Sequence, residues 1–433
     1  MSEESLRVGF GEVDVTPDRP VRLAGYYFDR TSTSVHDRLC VRAMAFSDGR
    51  ERVVLGVADL ADLRGGMNTA LPWIIPQARE KLRARCGLAP QNALFCAIHT
   101  HTGPDLSREP AYTATIPDAL AEAARRALAD LQPRRAAFGR DREPGLQFIR
   151  RYRMKDGSVR TNPGKMNPDI VEPLGAVNDT VGALSVSEGG TPVGALIHFA
   201  LHCDTVGGTE ISADWTHYAR EHLRRALKRD VPVLTPVGPC GDVNHWNVRE
   251  ASSLRGFAET ERIGARVAAA ACRALDRAEP LAAGPVRARR RVVPLALRVP
   301  TAAELAEAEV VAARPAPTDA DFTLDRVEAF RRIRAAKAGP VVEADVTVLT
   351  VGSLALVGIP GEYFTELGRD IQARSPFPHT LVCTLANTNL GYIGARWNYA
   401  EGGYETTSSL LAPGAGERLA DTAVELLGEA AKG

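Results

Sequence analysis

Short apolar runs rich in Val, Leu and Ala recur along this chain at Arg52–Leu60, Ala93–Ile98, Val193–Leu201, Val231–Val237, Val346–Ile359 and Thr380–Leu385. They read as buried strands. Between several of them lie longer patterns of 3.6-residue character, Ile116–Leu131, Trp215–Arg229, Phe257–Leu275 and Gly361–Arg374, with Arg and Glu on the outer face. Leu419–Ala431 closes the chain similarly. Such alternation predicts an α/β fold, mixed with α+β, in which a central mixed sheet is flanked by helices. With 433 residues, 45% of them hydrophobic, the chain can bury a substantial core without disulfide staples, and residues 1–433 are expected to form a single domain. The segment 300–340 differs in composition. Two Ala/Arg/Glu-rich helical stretches surround the breaker Arg314-Pro-Ala-Pro-Thr318, which predicts a helical hairpin inserted in that domain; a linker between independent domains is the alternative.

Charge and cysteine usage remove several classes. Fifty-three basic and 53 acidic side chains cancel, so the electrostatic footprint of nucleic-acid binding is missing. Seven scattered cysteines with no C-x-x-C pair suggest neither a disulfide framework nor a cysteine zinc site, and a reducing, cytoplasmic location is expected. The first residues, MSEESLRVGFGEVDVTP, lack a basic segment followed by a continuous apolar one, and no stretch approaches the roughly 20 apolar residues of a membrane helix. A soluble protein without an integral membrane segment is therefore expected. The run Arg287-Ala-Arg-Arg-Arg291 reads as a solvated strand face rather than an anion site.

The candidate chemistry begins with the nine histidines, because two pairs of them sit at the ends of apolar strands. His99 and His101, in Ile98-His-Thr-His-Thr-Gly-Pro104, are two apart, which a strand places on one face. They suit metal ligation or a ligand-plus-base pair, and equally a polar sheet rim. His198 and His202 also share a face whether their segment is strand or helix, and spacing alone does not choose between a ligand and a buried histidine bonded to the backbone. His217 and His222 read as solvated helix residues. Glu362, in Gly358-Ile-Pro-Gly-Glu-Tyr-Phe364, follows a strand and a turn at the predicted start of a helix. Either a cleft-facing ligand or the helix dipole accounts for it. The phrase Gly402-Gly-Tyr-Glu-Thr-Thr-Ser-Ser409 by itself reads as a polar surface loop carrying one aromatic residue.

Taken in order, these phrases resemble the neutral, non-lysosomal ceramidase family, in particular its short bacterial ceramidase-like members. The likeness runs through Gly9-Phe-Gly-Glu-Val-Asp-Val-Thr-Pro17, Leu23-Ala-Gly-Tyr26, Val35-His-Asp-Arg-Leu39 and the His-Thr-His-Thr-Gly-Pro phrase. It continues in Arg150-Arg-Tyr-Arg-Met-Lys-Asp-Gly157, Ile211-Ser-Ala-Asp214, Cys240-Gly-Asp-Val-Asn244, Pro360-Gly-Glu362 and the Gly-Gly-Tyr-Glu loop. The resemblance implies a neutral-ceramidase-like catalytic domain with one zinc ion held by His99, His202, Glu362 and Tyr404. It implies that His101 assists proton transfer and that Arg150 faces the substrate carbonyl. Two departures stand out: Ile149 replaces the family's Asn before that Arg, and Asn244 stands where ceramidases place a Ser that contacts the reacting amide.

The activity so implied is zinc-dependent hydrolysis of an amide (N-acyl) bond in a ceramide-like or smaller N-acylated substrate, with metal-activated water attacking the carbonyl. Arg150 would stabilise the oxyanion, and His101 would carry the proton to the leaving nitrogen. Asp214 and Asp242 either orient the zinc histidines from behind or cap a helix or turn. The sequence leads to the expectation that neither the signal peptide nor the C-terminal immunoglobulin-like domain of the secreted members is present. With Asn244, this leads to the expectation of a short-chain or water-soluble substrate over long-chain ceramide. Two other readings remain: a metal hydrolase of an ester, lactam or acylated metabolite, and a non-catalytic ligand-binding member of the fold, against which the retention of all four ligand positions argues.

Overall fold

The computed structural model describes residues 6–64, 74–252, 254–281, 284–314 and 323–432. The α/β class holds, and among the described residues the strands divide among several sheets, of which three are large. In the first, Ala93–Ala97, Arg52–Ala58, Cys40–Ser47, Arg7–Asp14 and Gln132–Pro133 lie side by side, the first two parallel and Arg52–Ala58 antiparallel to Cys40–Ser47. The second runs Val233–Leu234, Thr191–His198, Thr180–Glu188, Arg135–Arg142 and Glu279–Pro280. Of the apolar run Val231–Val237, only Val233–Leu234 forms a strand, parallel to Ala195–Leu196. The third sheet is Val286–Ala296, Val341–Val351, Leu354–Gly358 and His379–Cys383. The single run Val346–Ile359 is thus two strands, because Gly352, at φ 54°, opens a two-residue hairpin turn with Ser353.

Helices cover these sheets where the 3.6-residue patterns place them. Ile116–Ala129 packs on the first sheet, Phe257–Asp276 on the second with Trp215–Leu227 against it, and Ala415–Lys432 on the third. Gly361–Arg374 is helical only from Thr365, since Glu362–Tyr363 instead pairs in parallel with Tyr392–Ile393. The 300–340 segment holds Ala302–Ala312, opened by a Thr301/Glu304 capping box, and Leu324–Ala338. Pro315 to Thr318 of its breaker lie outside the described residues. The arginine run forms part of Val286–Ala296, where Arg290 pairs with Asp345 at 3.0 Å and Arg291 with Glu425 and Glu429. Arg287 and Arg289 donate instead to the Ala430 and Ala288 carbonyls.

One buried ion cluster ties the first sheet to a helix. Asp59, fully buried just past its strand, accepts from Arg42 at 2.6 Å, from Arg220 of the Trp215–Leu227 helix at 3.0 Å, and from the Cys40 amide. Burial alone would raise its pKa, but the two guanidinium groups hold it below the usual carboxylate range. Asp59→Ala leaves the buried Arg220 without its carboxylate, while Arg42 keeps Glu12 at 2.6 Å, and is expected to cost about 3–5 kcal/mol. Urea unfolding should show a lower midpoint at an unchanged slope.

The segment after His379–Cys383 joins all three large sheets. The amide of Thr384 donates to Val237 at 3.0 Å, Ala386 to Ile359 at 3.0 Å, and Asn387 to Phe95 at 2.7 Å. Leu385 and Asn387 adopt positive φ, 51° and 62°, so the chain turns sharply between these partners. The strand ends Ala97, His198 and Gly358 are thereby brought to one place.

Candidate metal centre

Each large sheet sends one side chain into a common buried point just past a strand end. From the first sheet comes His99, whose backbone sits in the left-handed region at φ 69°. A non-glycine residue there is strained by roughly 1–3 kcal/mol and needs surrounding structure to hold it. That turn takes His99 out of the alternation of its strand, and the Ala61 carbonyl accepts from Nδ1 at 2.8 Å. From the second sheet comes His202, fully buried, with Nδ1 donating to the Cys240 carbonyl at 3.0 Å. A nitrogen facing a carbonyl must carry the proton, so each ring turns Nε2 to the common point, where it is an acceptor whenever the ring is neutral; burial opposes the charge of His99, but Glu362 beside it raises its pKa. Beyond Gly358 of the third, in the short strand Glu362–Tyr363, comes Glu362, with Oε2 3.3 Å from His99 Nε2 and 3.6 Å from His202 Nε2.

These spacings fit a metal. Two ligands each 2.0–2.1 Å from a tetrahedral zinc lie about 3.3 Å apart. Moreover His202 Nε2, Glu362 Oε2 and His101 Nε2 are buried without a hydrogen-bond partner, which is costly unless something else satisfies them. Burial alone would raise the Glu362 carboxyl, but the imidazoles of His99 and His202 and the Arg150 cation hold it ionised, well below its ordinary range. Burial, with the charges of His99 and Arg150, pushes His202 well down, so it is neutral, as a ligand must be.

His101 shares the site. Its ring centroid is 4.9 Å from that of His99 and 5.4 Å from that of His202, and the ligating atoms of the three histidines lie within 4.8 Å of one another. Gly25, at φ 98°, lies against this ring, and a Cβ there would fall 2.5 Å from His101 Cγ. Asp204 Oδ1 is 3.3 Å from His101 Nδ1 and accepts from the Tyr26 hydroxyl at 2.5 Å. Burial opposes ionisation of Asp204, yet His101 and Tyr26 hold its pKa far below the usual range.

His99, His101, Glu362 and Tyr404 line a cavity of about 270 Å³, beneath which His202 lies. Tyr404 opens a short helix, Tyr404–Ser408, in place of the expected loop, and its hydroxyl is 3.2 Å from that of Tyr27. Burial, with Tyr392 and Tyr27 alongside, pushes its phenol well up, so it presents a neutral oxygen.

Three expected site residues sit behind this wall. Arg150 is buried, with Nε 2.7 Å from Glu405 and Nη2 2.8 Å from the Gly241 carbonyl. It joins the Tyr404 helix to the loop that holds His202. Asn244 donates to Asn162 at 3.1 Å and accepts from the Trp246 amide. Asp214 binds the amides of Thr205, Val206 and Trp215, capping a helix and fixing the turn that carries Asp204. Asp242 likewise holds Thr365 rather than a histidine. The carbonyls of Ala61 and Cys240 do the orienting instead. His198 is structural, donating from Nε2 to the Val382 carbonyl at 2.9 Å. His217 is half-buried, 3.7 Å from Asp37. Asp204 and Tyr26 were missed; the signal available was Asp204's place two residues past His202.

Two solved structures superpose on 98% of the chain. One is the neutral ceramidase of Pseudomonas aeruginosa, at a TM-score of 0.76, 20% sequence identity and coverage of 74% of that chain. This chain has the neutral-ceramidase fold. The other, a ceramidase complexed with C2, gives 0.74, 20% and 75%. No protein-family model matches the chain, and no characterised protein matches it in sequence. Among the described residues, no helix is long and apolar enough to cross a membrane.

Proposed function

We propose that this chain is a zinc-dependent amidohydrolase that cleaves a small N-acyl compound into a carboxylic acid and an amine. The observation that carries it is the convergence of unpartnered buried atoms, His202 Nε2 and Glu362 Oε2, at ligand spacing beside His99 under an open cavity. His99, His202, Glu362 and Tyr404 would hold the ion. Bound there, zinc supplies Lewis acidity that brings the ionisation of water to about pH 7. His101, at the cavity wall, takes the proton of the attacking water and returns it to the amide nitrogen as the C–N bond breaks. Asp204 holds the ring of His101 for both transfers, and Arg150 fixes the loops behind the site. Support for amide chemistry comes from the ceramidases that share the fold. Support for a small substrate comes from the wall of the cavity, which among the described residues offers few apolar side chains to a long acyl chain. We place the reaction in the cytoplasm, within one catalytic domain formed by the whole chain.

The test is elemental analysis of the purified protein together with an N-acyl panel of graded chain length. One zinc per chain and a kcat/KM that falls from short acyl groups to C16 ceramide in detergent are expected. Absence of any transition metal removes the metal reading. Ceramide outpacing every short amide would leave the metal centre standing and reverse the substrate class. Hydrolysis of esters or lactams alone would move the reaction to that bond.

A further inference from the structure

The loop 24–30, which meets His101 in space, is pinned there by a buried cation. Arg30 Nη2 donates to the carbonyls of Ala24 and His101, each at 2.5 Å, and Nη1 to the Gly208 carbonyl at 2.7 Å. Its guanidinium also lies over the Tyr26 ring, 4.2 Å from the centroid. One side chain thus ties together the backbone of His101, the stretch that follows Asp204 and the ring of Tyr26. Held in this way, Tyr26 stands edge-on to the His101 ring, with centroids 5.4 Å apart, and stacks on Phe28. Its hydroxyl donates to Asp204 Oδ1, the same oxygen that faces His101 Nδ1 at 3.3 Å. An ionised carboxylate only accepts, so Nδ1 of His101 must carry a proton, and in the neutral ring Nε2 is left as the acceptor. That Nε2 has no hydrogen-bond partner among the described residues, and the ring lines the cavity. Asp204 could turn about its own side-chain bonds, but with the Tyr26 hydroxyl on Oδ1 that oxygen has one place to be.

We infer that Tyr26, fixed by Arg30, is a positioning residue for the hydrolysis: through Asp204 it locks the orientation of the His101 ring and its Nδ1–H tautomer. This rests on the reading of His101 as the group that moves the proton, and it names what holds that group still. The hydroxyl has a single proton and the carboxylate takes it, so Tyr26 brings none of its own to the reaction. Its contribution is geometric. A proton carrier works only within hydrogen-bond reach of the atom it serves, and small displacements of such a group cost rate steeply.

The experiment uses Tyr26→Phe, which keeps the ring against Arg30, Phe28 and His101 and removes only the hydroxyl. With zinc bound at the wild-type level, KM for a short alkyl amide should stay within about twofold while kcat falls by about tenfold to a hundredfold. An acyl p-nitroanilide should lose less, and in a His101→Ala background the same substitution should cost nothing further. A second readout is independent of turnover. Side-chain nitrogen NMR spectra of the histidines are recorded for metal-free and zinc-loaded protein where the rings are neutral, with His101 identified by its loss in His101→Ala. They should show the Nδ1–H tautomer alone in the wild type and a mixture of tautomers in Tyr26→Phe. A rise in KM at unchanged kcat would make Tyr26 a substrate contact, and loss of zinc would make it a support for a ligand. An equal loss with and without His101 would detach it from that histidine. Each of these overturns the inference, as does a Tyr26→Phe protein whose His101 keeps the single tautomer. A wild type that hydrolyses no amide would end the amidohydrolase reading, and the tautomer alone then decides whether Tyr26 fixes His101.

Discussion

Replacing His202 by Ala is expected to empty the metal centre and abolish amide hydrolysis together. His202 is fully buried, its Nδ1 is fixed by the Cys240 carbonyl, and its Nε2 stands 3.6 Å from Glu362. The ring has no freedom to do anything but face that point. Removing an outer partner of a metal-bound histidine already costs about 10–100-fold in affinity or activity, and removing the histidine itself should cost more. The variant should stay folded, because His202 has one hydrogen bond to lose and the surrounding sheets are joined through Thr384, Ala386 and Asn387. Zinc content and turnover on a short N-acyl substrate, read beside an unfolding curve, check this. Full retention of zinc in a folded His202→Ala protein would exclude His202 from the ligand set.

Replacing His101 by Ala is expected to do the opposite to the two readouts: zinc stays, and turnover falls by about 10²–10⁴-fold, the range of general acid–base catalysis. The division follows from position. His101 stands on the cavity wall against Asp204 and Tyr26, whereas His99 and His202 each turn one nitrogen to a carbonyl and the other toward Glu362. A leaving-group series separates proton delivery from simple disruption. An acyl p-nitroanilide, whose leaving nitrogen needs less protonation, should lose less than an alkyl amide does. The three imidazoles are close enough that a ligand set of His99, His101 and His202 is the competing arrangement. Loss of zinc from His101→Ala would establish that set and move proton transfer to another group.

Much of this molecule is written locally. Ala93–Ala97, His379–Cys383 and the helices Ile116–Ala129 and Phe257–Asp276 appear where periodicity places them, because side-chain alternation and the 3.6-residue repeat are properties of a single segment. The α/β class follows from their order. The proposed ligands His99, His202, Glu362 and Tyr404 are named by the resemblance to the neutral ceramidases, since the residues alone leave His198 and His202 undistinguished and read Tyr404 as part of a surface loop.

What sequence could not decide was anything that depends on where another segment arrives. His198 and His202 share a face by spacing, yet the first is the last residue of its strand and is taken by Val382, 184 residues away, while the second lies beyond the strand end and faces Glu362. Asp214 has the composition of a catalytic carboxylate and serves as a cap, and Asp204 holds His101 because Gly25 and Tyr26 come in from the N-terminal region. Glu362 is a strand residue because Tyr392–Ile393 lies beside it. Local patterns fix conformation through interactions a few residues long, but a site assembled from three sheets is fixed by contacts across more than a hundred residues. Only packing of the whole chain determines which polar groups at those ends stay unpaired.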